Sequence, residues 1–171
     1  MTRVFQVFPV VVLGAFLFSS CNEGIQAPPE GSAAATPGAS GFAGTITYRN
    51  WPPADSLIDL RIVAFKNFPP GNIVTEVLSG TAIIYPPLGG ANLPFNVDTT
   101  RYFVPAPGGQ YNYVAVAQQF GPLVTVDWRA VGQYDLDTDP AIPSSIQVPA
   151  DDTLMHVDIN VDFRNLPPQP F

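Results

Sequence analysis

From Gly41 onward, apolar and polar residues trade places at every second position, and Pro and Gly close each run. This is the period of an extended strand, whose side chains alternate between two faces, and not of a helix. Phe42–Arg49 alternates, Leu57–Lys66 is a longer β-rich run, and Gly80–Tyr85 is short and apolar. Arg101–Val104, Gln110–Gln119 and Leu123–Tyr134 follow. Thr153–Phe163 alternates most cleanly, with Met155, Val157, Ile159, Val161 and Phe163 on one face and Leu154, His156, Asp158, Asn160 and Asp162 on the other. About seven strands at short spacing predict an all-β domain over 41–165, an antiparallel β-sandwich, with a barrel as the alternative. Asn72–Ser79 fits an eighth strand or a helical turn equally well.

The strand ends carry an echo. Tyr48-Arg49-Asn50-Trp51-Pro52-Pro53 is matched by Phe65-Lys66-Asn67-Phe68-Pro69-Pro70, and Tyr85-Pro86-Pro87 follows at the same interval. The flanking strands do not align, so this is no repeat architecture. It places an aromatic over the core edge wherever Pro-Pro stops a strand. If the first two strands form a simple hairpin, Trp51 and Phe68 stand at opposite ends of the domain.

Ahead of the strands lie two segments of other character. Arg3 precedes an apolar run from Val4 to Phe18, then Ser19, Ser20 and Cys21. A charged start, a short apolar stretch and small residues before a cut describe a secretory signal peptide over 1–20. The run is shorter than the roughly twenty residues of a spanning helix, and Pro9 interrupts it. Residues 21–40 are mostly Gly, Ala, Pro, Ser and Thr with little to bury, a flexible tether. At the other end, 166–171 is Pro-rich and reads as a tail.

Charge and cysteine content narrow the function classes. The net charge is −7, and removing the leader with Arg3 leaves six basic and fourteen acidic residues, a net charge of −8. That balance argues against nucleic acid and against anionic headgroups as partners. Cys21 is the single cysteine, so the domain has no internal disulfide and relies on its core.

Leu17-Phe18-Ser19-Ser20-Cys21 resembles a lipobox, with Phe18 where an aliphatic residue is usual. The resemblance implies cleavage before Cys21, acylation of that cysteine and a membrane anchor, with Asn22 pointing by analogy to the outer membrane. Further on, Gly41-Phe-Ala-Gly44-Thr-Ile-Thr-Tyr48 and Ala106-Pro-Gly-Gly-Gln-Tyr-Asn-Tyr-Val-Ala-Val116 resemble strands of carboxypeptidase-regulatory-like domains. That resemblance implies a transthyretin-like, Ig-like sandwich acting as a structural or binding module, and carries no catalytic residue.

Candidate chemistry is sparse. Asp135, Asp137 and Asp139 stand at alternate positions in a predicted loop, and calcium favours such clusters of oxygen ligands. A solvated acidic loop is the plainer account of them, since the EF-hand Gly and Glu positions hold Pro140 and Ile146. His156, Asp158, Asn160 and Asp162 line one strand face, but neighbours two apart are separated by about 6.8 Å, which suits a wet sheet surface better than one shared ion. With one histidine and one cysteine, Cys-His catalysis fails and a Ser-His-Asp set has a single base to draw on. Trp51, Phe68, Tyr85, Trp128 and Tyr134 are candidates for stacking on sugars or peptides. The expectation is therefore a lipid-anchored envelope protein, not an enzyme and without an obligate cofactor. Its partners would be the membrane, through its lipid, and an envelope protein or glycan. A sugar- or peptide-binding module and a small hydrolase are the alternatives.

Overall fold

Alternation becomes strand wherever a neighbour exists to pair with, and the computed structural model, which describes residues 38–137 and 139–170, shows ten strands, one α-helix and a single 3-10 turn at Ala54–Ser56. The strands are β1 (Gly41–Arg49), β2 (Asp59–Phe65), β3 (Ile83–Tyr85), β4 (Thr99–Pro105), β5 (Gly109–Tyr111), β6 (Tyr113–Gln119), β7 (Trp128–Gln133), β8 (Ile146–Val148), β9 (Thr153–Leu154) and β10 (Ile159–Asp162). The helix is α1 (Ile73–Leu78), so Asn72–Ser79 resolves as helical. Asn72 caps it, its side chain accepting from the Thr75 amide at 2.9 Å, as N-cap residues do. The expected leader, Cys21 and most of the expected tether lie outside the described residues.

Eight strands form one curled, mixed sheet in the order β3-β2-β6-β7-β10-β1-β4, with β9 also on β1, while β5 and β8 make a separate pair. All-β architecture holds, but the expected wholly antiparallel arrangement does not. β1 runs parallel to both β9 and β10, pairing Ile46 with Ile159 and Phe42 with Leu154. Alternation records which face a residue takes and says nothing of strand direction, so this was invisible in the pattern. Nor are β1 and β2 a hairpin, since β6, β7 and β10 separate them, and the end assignments for Trp51 and Phe68 fall with that assumption.

Two long runs are broken. In Gln110–Gln119 the chain changes partners at Asn112: β5 pairs with β8, whereas β6 pairs with β2 and β7. Asn112 holds the step by donating its amide N–H to Phe65 and its side chain to Lys66 O at 2.7 Å. In Thr153–Phe163 the chain advances five residues from Leu154 to Ile159 while its partner advances four, from Phe42 to Ile46. The extra residue, with His156 at φ 65°, reverses the facing, so Leu154 packs on the core and Met155 is exposed. Val157, Ile159, Val161 and Phe163 face inward as expected.

The main core fills the inside of the curl. Phe42, Ile46 and Tyr48 of β1 meet Leu60, Ile62, Val114, Val116, Ile159 and Val161, and β5 and β8 close over them with Tyr111, Ile146 and Val148. The aromatic echo does what the strand ends required: Trp51 packs between Tyr48 and Phe163, and Phe68 lies 5.3 Å from Tyr113 between ring centres. On the outer face, Phe65, Tyr113, Ala115 and Ala130 form a smaller cluster beneath Ile73 and Val77 of α1. β6 is consequently buried on both faces. The Pro-rich tail is tied down. Leu166 packs on the main core, and the Gln169 amide bonds both the N–H and the C=O of Ala130 where β7 lacks a second strand.

Gly44 shows how tightly the β9–β10 bulge is drawn in. A Cβ there would sit 2.1 Å from Val157 O, a backbone atom held by a Val157 N–H bond to Ala43 and by the Tyr102 hydroxyl. Gly44→Val should therefore lower stability by about 2–3 kcal/mol through overpacking. A urea midpoint unchanged from wild type would show that the crossing segment yields freely.

Candidate functional site: an apolar groove on the outer sheet face

On the outer face, α1 and the loop between β6 and β7 stand apart across β2 and β6, leaving a groove of about 400 Å³. Its floor is Val63 and Phe65 of β2, Ile84 of β3 and Ala117 of β6. Ile73, Val77 and Leu78 make one wall, and Val124, Thr125, Val126 and Trp128 the other. The floor follows from strand parity: the even residues of β2 enter the main core, so the odd ones face out. Depth comes from Ala117, whose small side chain leaves space where a larger one would fill it.

Arg61 and the turn at Leu88 complete the site. The guanidinium is buried and every arm is used inside the protein. Nε donates to Asp59 Oδ2 at 2.7 Å, Nη1 to the carbonyls of Pro86 and Pro87 at 2.6 and 2.7 Å, and Nη2 to Asn92 Oδ1 at 3.1 Å and Gly90 O at 3.4 Å. Arg61 is thus a clamp that positions Leu88 at the mouth, and offers no donor to a ligand. The opposite wall is stiffened in the same way. Asp127 Oδ2 accepts from the Leu123 amide at 2.7 Å, the Asp127 amide donates to Leu123 O at 2.8 Å, and Trp128 Nε1 donates to Val124 O at 2.8 Å. The Thr125 hydroxyl is the polar side-chain group left in the lining. The β2 and β6 backbone is paired on both sides.

Of the aromatic candidates, Trp128 alone joins the groove. Trp51 is a structural pillar, its Nε1 donating to Val97 O at 2.9 Å, and Tyr85 and Tyr134 pack on the main core. They do not converge on one exposed rim. The acidic loop turns inward on itself: Asp135 Oδ1 accepts from the Asp137 amide at 2.9 Å, and Asp139 Oδ1 from the Ala141 amide at 3.0 Å. Among the described residues no three His, Cys, Asp or Glu side chains gather to hold a metal. On the last-strand face, Asp158 Oδ1 accepts from the Thr45 amide at 2.7 Å. The Asp162 carboxyl is held below its usual range, chiefly by the Asn50 side chain and then by the Arg164 amide.

The groove itself was not anticipated. Its one trace was the run Leu123-Val124-Thr125-Val126, which read as the start of a strand but folds as an irregular loop with exposed side chains. No family model, curated protein or solved structure matches this chain. No helix among the described residues is long and apolar enough to cross a membrane, which says nothing of strands.

Proposed function

We propose that the protein is a lipid-anchored, non-catalytic binding module of the cell envelope, and that the outer-face groove is its binding site for a small apolar ligand. The observation that carries the binding role is the groove: about 400 Å³, pre-formed, and walled by aliphatic side chains, with the Thr125 hydroxyl the one unengaged polar side-chain group in its lining. Ligand pockets typically fall between about 300 and 1,000 Å³ with this kind of lining. Anchoring through Cys21 rests on the lipobox-like leader, and the outer membrane on Asn22. A kinship with transthyretin-like modules draws support from the two resembling motifs, which fold as β1 and as β5 with the first part of β6. The parallel pairs of β1 set the chain apart from that pattern. The sugar-binding alternative loses its premise with the dispersed aromatics. The hydrolase needs acids gathered in a cleft, and the residues lining this groove include no carboxylate.

A terminally brominated long-chain alcohol tests the reading, because bromine quenches indole on contact. Saturable quenching of Trp128 is expected in the full chain carrying Trp51→Phe. Adding Ala117→Phe should fill the floor and weaken binding about tenfold, or roughly 1.4 kcal/mol. A linear, unsaturable response equal in both variants would sink the proposal.

A further inference from the structure

We infer that the mouth of the groove docks on an uncharged lipid surface, from which an alkyl chain enters; this rests on the groove being a ligand site. Four lining residues at the mouth are strongly exposed aliphatics: Leu78 at 79%, Leu88 at 51%, Val124 at 59% and Val126 at 64%. Leu123, beside Val124 in the chain, is 60% exposed. Scattered exposed leucines mean little, but these come from three separate segments and surround one opening.

Charge identifies the partner. In a protein of net charge −7, the chain carries no charged residue from Val77 to Val97 and none from Tyr102 to Val126, the stretches that supply this rim. The flanking acids are engaged: Glu76 Oε1 accepts from the Gly71 amide at 2.7 Å and Asp127 from the Leu123 amide. An uncharged apolar rim matches a zwitterionic bilayer and offers nothing to an anionic one. Polarity sets an alkyl chain apart from a peptide as occupant of the groove. An extended peptide would bury amides against a lining with a single unengaged hydroxyl, and each unmet group is penalised. An alkyl chain brings no such groups.

The full chain carrying Trp51→Phe, bound to phosphatidylcholine vesicles with brominated acyl chains, reads the contact directly, because an N-terminal lipid alone would not bring bromine to Trp128. Quenching relative to unbrominated vesicles is expected, unchanged by added salt since no charge takes part. Val124→Asp and Val126→Asp lie on the surface, and each should reduce the quenched fraction, weakening docking about tenfold, as expected for keeping one valine in water. Val124→Ser provides the same comparison without a new charge. A vesicle-bound chain with unquenched Trp128 would overturn the inference, as would a solution dimer broken by Val124→Asp, which would give the rim to a second copy. If the brominated alcohol quenches and the vesicles do not, the ligand site stands and the lipid surface falls. If neither quenches, both fall.

Discussion

Arg61→Met should lower the unfolding free energy by about 3–5 kcal/mol, the range for removing one partner of a buried ion pair. The side chains of Arg61 and Asp59 are 4% and 13% exposed, so the carboxylate left behind has little water to replace its partner. The loss does not stop at the pair. The carbonyls of Pro86, Pro87 and Gly90 and the Asn92 side chain also lose their donor. That loop has few other anchors: Gly90 bonds back to Pro87, and Leu93 to Leu60. Leu88 should therefore swing away from the mouth of the groove, so the brominated alcohol should bind the variant poorly even where it remains folded. Arg61→Lys keeps the charge but cannot reach carbonyls and carboxylate together, and should fall between the two. Urea unfolding measures both, and a loss below about 1 kcal/mol for Arg61→Met would mean that the clamp contributes little.

Alkaline pH should unfold the protein between about pH 11 and 12. Burial pushes the Tyr48 hydroxyl from 10.0 up to about 12, with the nearby Thr100 hydroxyl offsetting slightly although neither oxygen makes a well-formed hydrogen bond. Tyr113, buried with no hydrogen-bond partner for its hydroxyl, is raised further. Tyr102 is raised by burial and then by the charge of Asp158, and its hydroxyl donates to Val157 O, which a phenolate could not do. In each case the folded pKa lies above the unfolded one. The stabilisation is whole below pH 10 and declines as pH climbs toward the folded pKa, at about 1.36 kcal/mol per unit and group. By pH 12 three such phenols remove about 8 kcal/mol, comparable to the whole stability of a domain. Phenolate absorbance from Tyr48, Tyr102 and Tyr113 should consequently rise in one cooperative step together with loss of the β signal. Tyr113→Phe should move that step to higher pH. Gradual, non-cooperative ionisation near pH 10 would show that these rings are not sealed.

The stretches that were legible and those that were not differ in what they depend on. β1, β2 and the inward face of β10 follow from alternation, because a face that must be buried is written into the local order of residues. α1 hid because six residues with Ile73 and Val77 on one side fit either element, and the Asn72 cap and the sheet beneath it settled the matter. Leu123–Val126 misled because an exposed apolar loop and a strand have the same composition. Ile146–Val148, between Pro143 and Pro149, offered too few positions to show a period.

By itself, then, the sequence determined an all-β domain starting near Gly41, the absence of internal disulfides, and the core-edge role of Trp51 and Phe68. Tertiary structure alone decided the parallel pairing of β1, the bulge that turns Met155 outward, the Arg61 clamp and the groove. Each of these joins residues distant in the chain: Gly44 meets Val157, and Ala117 and Val77 line one space that neither residue encodes. Local pattern fixes which way a side chain points, whereas a cavity is set by what stands opposite, and that is chosen only when the sheet closes.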